Sequence, residues 1–490
     1  MTVPAFLLAG THSGCGKTTL AAGLLRALRH AGRTPAPFKA GPDYLDPKLH
    51  AVAAGRPCWN LDGFFQDAPG LRETFARGSQ GADVALIEGV MGLFDGADPV
   101  HFRGSGADLA RTLGVPVVLV VDGAAVGGSV AATVLGHARI WPELDLAGVI
   151  LNRLGGEGHF RLQRAAIEAH TAVPVLGWVP QQQDWLLPER HLGVHQPHEL
   201  PGLEAALDQL ARGLAETVDL DALSAMTRPV LGCPTVSGTA EGTLPIALGW
   251  DEAFSFVYAD TLDRFERLGV QWVPFSPLRD RLPEGVAGLY LPGGYPELHA
   301  ATFSGNRDLH ADLRAAHGAG LPILAECGGY LALGEVLHDL EGRAHCMAGV
   351  IPGRFRMTSH LQGFGYQHLE LLKDTPLGPR GATGRGHGFH QSRREDDPPA
   401  PAWRASSTQG VGAPEGHSEG HLVAGYAHLA FSAQPAWAEA WVATCRRFQG
   451  GAGSEGLNPG TSSPLAGILG SAPPVRRPSD GAGWNRSVTP

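Results

Sequence analysis

The chain has 490 residues, 43% of them hydrophobic, and 38 basic against 48 acidic side chains give a formal net charge of −10. That apolar content buries a large core and excludes global disorder, and at roughly 150 residues per domain the length predicts about three domains or two large ones. The acidic balance speaks against a general nucleic-acid or anionic-membrane binder, and no apolar run approaches the roughly 20 residues that span a bilayer.

In chain order, Val3–Ala9 is a short apolar run, followed by a glycine-rich loop and a helical pattern. Leu20, Leu24, Leu25, Leu28 and Ala31 line one face of that pattern, with Arg26, Arg29 and His30 opposite. Further runs at Pro35–Ala40, Asp83–Ile87, Val115–Val121, Leu146–Leu151 and Val173–Val179 read as strands buried on both faces. Strand–helix alternation predicts a parallel sheet with helices on both sides. Pro201–Leu223 reads as a helix, and Thr227–Thr243 then loses periodicity and gains Pro, Gly, Ser and Thr. This divides the chain into a first domain over 1–226, a linker over 227–244 and a second α/β domain over 245–448. The Gly/Ser/Pro-rich stretch 449–490 has no apolar period and reads as a disordered tail.

The first motif is GTHSGCGKTT, between a strand and a helix. Backbone N–H groups of such a loop, with the helix N-terminus, surround phosphate oxygens. Thr11, Gly14, Gly16, Lys17, Thr18 and Thr19 are the expected ATP-binding residues. Lys17 reaches the β/γ-phosphates and the Thr18 hydroxyl holds Mg²⁺. Five residues separate Gly10 from Gly16, one more than the common phosphate-loop spacing. Lys17 is one of only four lysines, with Lys39, Lys48 and Lys373.

A phosphoryl-transfer site also needs carboxylates. In PDYLDP, prolines on both sides hold Asp43, Tyr44 and Asp46 in a non-helical loop. Glu88 ends a buried run, where a charge needs a partner, and Asp95 follows in the loop. Asp46 and Glu88 join Thr18 as expected metal ligands. Asp43, Tyr44 and Asp95 are expected at the substrate carboxylate or its acyl phosphate.

The second domain carries LPILAECGGYLALGEVL. An apolar strand, then Glu-Cys-Gly-Gly, then a helical pattern is how a strained turn exposes a nucleophile. Cys327 at a helix start is expected to favour thiolate. Gly293 and Gly294 of YLPGGYPE, with Gly328, offer N–H groups for an oxyanion. His428 of AHLAF is the expected base. The other cysteines (15, 58, 233, 346, 445) show no CxxC pair and no zinc spacing. Free thiols in a reducing cytoplasm are the expectation. The N-terminus has no basic n-region and no secretory signal is expected. His387 and His390 of RGHGFH cluster, but spacing alone assigns them no chemistry.

Together GTHSGCGKTT, KAGPDYLDP, NLDGFF, EGVMGLFDG, PERHLG, FSPL, YLPGGYPELHA, AECGGYLALGE, RGHGFH and AHLAF resemble the cobyrinic acid a,c-diamide synthases, over roughly residues 3–445. The resemblance implies a dethiobiotin-synthetase-like, P-loop NTPase-like ATP domain, which shares the five-residue loop spacing. It also implies a flavodoxin-like class I glutamine amidotransferase domain, so that both domains are doubly wound α/β. It implies ATP, Mg²⁺, L-glutamine and a corrinoid macrocycle as ligands. Cys327 and His428 release ammonia from glutamine, and the first domain activates a carboxylate as an acyl phosphate. A homodimer is the one assembly considered, with neither nucleic acid nor membrane as partner. Related amidotransferases often carry Glu two residues after the histidine, and this family commonly has His there. Here that position is Ala430, which leaves the residue that orients His428 unassigned. Gly388 stands where the family usually has Glu, and the tail beyond Phe448 has no family counterpart. The alternatives are a nickel-sirohydrochlorin a,c-diamide synthase, a cobyric acid synthase and a non-enzymatic phosphate-loop regulator.

Overall fold

The computed structural model describes residues 2–181, 189–190, 193–194, 196–231, 243–407, 410 and 412–451. Half of PERHLG, most of the expected linker and nearly all of the expected tail lie outside the described residues.

In the first domain the order of parallel strands is Trp59–Leu61, Pro35–Ala40, Val84–Glu88, Thr2–Gly10, Val117–Asp122, Leu146–Leu154 and Val175–Pro180. Every apolar run read from the sequence is a strand of this sheet. Alternate residues feed opposite faces, because side chains along a strand point to alternate sides. Ala5, Leu7, Val117 and Leu119 enter one core with Leu71, Phe75 and Leu109. Phe6, Leu8, Val118 and Val120 enter the other with Leu20, Leu24, Leu207 and Leu210. Helices therefore cover both faces, the doubly wound arrangement expected. The helix expected over Pro201–Leu223 is two, Leu203–Thr217 and Leu220–Met226.

The expected boundary moves. Arg228–Leu231, placed in the linker, is a strand that pairs antiparallel with Thr2–Ala5 of the first sheet. Only four residues long, it carries too little periodicity to be read alone.

The second domain has a sheet in the order Val270–Phe275, Leu244–Gly249, Gly288–Leu291, Ile323–Glu326, Leu422–Gly425 and His417–Glu419. All but the last strand run parallel. Beside it lies a second, antiparallel sheet: Ala413–Glu415, Trp403–Ser407, Gly363–Leu371, Thr383–His390 and His428–Leu429. The sequence reading did not anticipate this sheet, and it is the one that carries His428. The helix expected after Cys327 is short, Gly328–Leu333, and gives way to the strand Val336–His338.

The domains meet over a polar and an aromatic patch. Arg77 pairs with Asp263, and Arg267 reaches Glu73 at 3.3 Å. Lys48 donates to Ser255 Oγ at 2.6 Å, and Tyr366 Oη donates to Asp62 Oδ2 at 2.9 Å. Phe64 stacks on Tyr366 with centroids 4.3 Å apart.

Candidate active site

Residues between the strand Thr2–Gly10 and the helix Lys17–His30 form the phosphate loop. Gly16 sits at φ +95°, a left-handed conformation that favours glycine. Two side chains of the strand Leu146–Leu154 hold the loop from outside. Asn152 Nδ2 donates to the Cys15 carbonyl at 2.8 Å, and Arg153 donates to the Gly14 carbonyl at 2.6 Å. With its carbonyls so engaged, the loop can turn N–H groups inward. Lys17 is 7% exposed and its ammonium donates to the His12 carbonyl at 3.2 Å. Thr11 and Thr19 flank the loop and are partly buried.

Thr18, Asp46 and Glu88 converge as expected. Thr18 Oγ1 donates to Glu88 Oε1 at 2.7 Å and faces Asp46 Oδ2 at 3.3 Å. Glu88 is fully buried at the end of its strand. Two further residues belong here that the sequence reading missed. Lys39 Nζ lies 2.6 Å from Asp46 Oδ2 and 2.9 Å from Glu88 Oε1. His50 Nε2 bonds the other oxygen of Glu88. Burial alone pushes the Glu88 carboxyl up, but Lys39 and His50 outweigh it and hold it below the usual carboxylate range. A signal for His50 exists in the sequence: it lies four residues after Asp46 on the helix Asp46–Ala54, hence on the same face.

The groups here able to ligate a hard cation are the oxygens of Thr18, Asp46 and Glu88, with Lys39 and His50 paired to the same carboxylates. Mg²⁺ is typically held by one or two carboxylates, with phosphates and water completing its shell. The set Thr18, Asp46 and Glu88 fits that pattern. Among the described residues no group of three or more His, Cys, Asp or Glu side chains forms a metal cage of its own.

Asp43 Oδ1 accepts from the N–H groups of Leu45 and Asp46 at 2.8 and 3.2 Å and so starts the helix that carries Asp46. Asp95 is exposed and its carboxylate accepts from Gly92 N–H at 2.8 Å, closing its own turn. Tyr44 differs from expectation. Its ring does not serve the phosphate cluster but crosses to the second domain. It stacks on Tyr258 (4.5 Å between centroids) and Phe256 (5.4 Å), and lies 4.8 Å from the ring of His428. An aromatic ring is drawn to this apolar interface between domains, whereas its aspartate neighbours stay with the cations.

Cys327 lies between the strand Ile323–Glu326 and the helix Gly328–Leu333 at φ +46°, ψ −103°. A positive φ at a non-glycine residue is strained, and at a strand–helix junction it is the mark of a nucleophile elbow. The Cys327 N–H donates to Gly425 at 2.7 Å, and its Sγ faces the Phe389 carbonyl at 3.8 Å. Gly293 and Gly294 pair with Phe256 and Phe254 to form the facing wall. A Cβ on Gly293 would collide with His428 Cε1, and one on Gly328 would come within 3.0 Å of Gly294 N. The three glycines thus let the nucleophile turn, the wall and the base approach one another.

The surroundings of Cys327 oppose the expected thiolate. Burial pushes the Cys327 thiol up, Glu297 and Glu326 add to it, and the helix that follows is only six residues long. Burial likewise pushes His428 down to about 3, helped by His387 and His390. Burial thus favours a neutral thiol at Cys327 and a neutral imidazole at His428, the state in which an imidazole can act as a base.

Residues 6–194 match the family model of the CobQ/CobB/MinD/ParA nucleotide binding domain, and residues 245–436 that of the CobB/CobQ-like glutamine amidotransferase domain. The chain is 42% identical over 455 residues to the cobyrinate a,c-diamide synthase of Salmonella typhimurium, covering 90% of this chain and 98% of the relative. It is 40% identical over 438 residues to that of Streptococcus sanguinis, covering 87% and 95%. The hydrogenobyrinate a,c-diamide synthase of Rhodobacter capsulatus is 44% identical over 430 residues, covering 86% and 97%. With an elbow cysteine, a phosphate loop and relatives matched along nearly their whole length, the chain belongs to the a,c-diamide synthase family of glutamine-hydrolysing ligases.

Proposed function

We propose that this chain amidates the a and c acetate carboxylates of cobyrinate, using ATP and taking nitrogen from glutamine or free ammonia. The observation that carries the reading is the segment Asp43–Asp46, which touches both candidate half-sites. Asp46 lies with Thr18 and Lys39, and Tyr44 lies against His428.

In the first half-site, loop N–H groups and Lys17 bind the phosphates of ATP. Thr18, Asp46 and Glu88 would hold Mg²⁺, which supplies charge neutralisation for the transferring phosphoryl group. A substrate carboxylate oxygen forms a bond to the γ-phosphorus as the bond to ADP breaks. The carboxylate needs this step because it has no leaving group at neutral pH. Ammonia then attacks the acyl carbon, and phosphate departs.

In the second half-site the Cys327 sulfur attacks the side-chain amide carbon of glutamine. His428 takes the thiol proton and delivers it to the departing ammonia. Water then cleaves the thioester to glutamate. Gly328 and the Gly293–Gly294 wall are the groups that can receive the oxyanion.

We place the reaction in the cytoplasm. The described cysteines, 15, 58, 327, 346 and 445, are free thiols, and no helix among the described residues is long and apolar enough to cross a membrane. The similarity to a hydrogenobyrinate synthase favours a second substrate, the cobalt-free ring. The test is to incubate the chain with cobyrinate or hydrogenobyrinate, ATP, Mg²⁺ and either nitrogen source. Two successive carboxylate-to-amide mass changes on at least one ring are expected. Absence of amide from both rings, with ammonia in excess, refutes the proposal.

A further inference from the structure

The glutaminase pair lacks an assigned acid. Ala430, two residues beyond His428, is buried among Phe65, Tyr258 and their neighbours and supplies no acid. Yet His428 Nδ1 is itself a buried polar atom without a hydrogen-bond partner. An orphaned donor or acceptor of this kind costs about 1–3 kcal/mol and calls for an explanation.

One carboxylate is within reach. Glu326, the residue before the nucleophile, has Oε2 3.9 Å from His428 Nδ1, and the two side chains are 2% and 1% exposed. Glu326 is itself held in place: Oε1 accepts from Leu429 N–H at 3.1 Å and Oε2 accepts from Tyr290 Oη at 3.0 Å. Leu429 directly follows His428, so the same carboxylate grips the backbone of the strand that carries the base.

We infer that Glu326 is the positioning residue of the Cys327–His428 pair, accepting a hydrogen bond from Nδ1–H and so leaving Nε2 free to take the thiol proton. The gap of 3.9 Å closes by a small side-chain rotation, as hydrogen bonds at catalytic sites often do once substrate is bound. When Cys327 gives up its proton to Nε2, the imidazolium that forms faces a carboxylate rather than an apolar wall. Glu326 takes no proton from the imidazole; Nδ1–H and the imidazolium favour its ionised form. Burial pushes this carboxyl up to about 8 against the two donors that already serve it, and Nδ1–H is the third donor that favours the charged form. The strand end and the turn after it thus supply positioning acid and nucleophile as consecutive residues, Glu326 and Cys327, and the antiparallel sheet supplies the base.

The inference rests on the glutaminase reading of Cys327 and His428, and Cys327→Ala separates the two. If that variant keeps glutaminase activity, the reading itself fails. If it abolishes the activity, the test passes to Glu326→Gln, with kcat and KM for glutamine and the ammonia-driven rate measured together. The expected result is a fall in glutamine kcat of at least about a hundredfold, the scale on which a wrong histidine tautomer acts. KM should stay within about threefold and the ammonia-driven rate within about twofold. A glutamine kcat within about threefold of the parent overturns the inference. The second measurement uses the unaltered chain, so that a misfolded variant leaves no escape. In ¹⁵N-histidine spectra, with the His428 signals identified by difference against His428→Asn, the neutral ring should carry its proton on Nδ1. A ring protonated on Nε2 overturns the assignment whatever the variant does.

Discussion

The strain at Cys327 can be measured by removing it. At φ +46°, ψ −103°, a residue with a Cβ stores about 1–3 kcal/mol, and only glycine is free of that cost. Compare Cys327→Ala, which keeps the Cβ, with Cys327→Gly, which does not. Both lose the sulfur, so its packing cancels. At an ordinary buried position the change from alanine to glycine costs about 0.8 kcal/mol of burial and about 0.5–1 kcal/mol of chain entropy, roughly 1.5 kcal/mol in all. At this elbow the released strain, about 2 kcal/mol at mid-range, offsets that cost. The glycine variant should therefore be as stable as the alanine variant or slightly more so. The assay is calorimetric melting of the two proteins side by side, with ammonia-driven amidation retained in both. A glycine variant about 1.5 kcal/mol weaker would show that the backbone is relaxed there. For a unit of this size that is a Tm lower by roughly 3–6 °C, and the nucleophile-elbow argument would fall with it.

Lys17→Ala should lower amidation from both glutamine and ammonia by at least about a hundredfold, because the lost charge faces the transferring phosphoryl group; normal ammonia-driven turnover would remove this loop from the reaction. Tyr44→Ala should lower substrate-free glutamine hydrolysis by more than about threefold, since it strips a ring from His428; an unchanged rate, read as glutamate release without ATP, would make the stacking incidental. Asp263→Asn leaves Arg77 and Arg267 facing a neutral partner at the domain contact, where breaking a largely buried pair costs about 3 kcal/mol; a melting transition within a degree of the parent would show that the contact does not hold the domains together.

The motifs legible in the sequence are those whose geometry is local. The phosphate loop, the buried strands, Glu88 at a strand end and the cysteine elbow each depend on a dozen or so consecutive residues. Their backbone preferences and apolar spacing are written in order along the chain. Even the strain at Cys327 follows from the strand and small residues that flank it. The same reading stops where a site is assembled from distant segments. Lys39 reached the carboxylate cluster because parallel pairing sets it beside Glu88 in register. Tyr44 met His428 only because two separately wound domains dock through an aromatic patch. Glu326 came within reach of His428 because the end of an interior strand of the parallel sheet and a strand of the antiparallel one, a hundred positions apart in the chain, come together. No periodicity records such contacts, since they depend on the burial of whole faces and not on the preferences of any one segment.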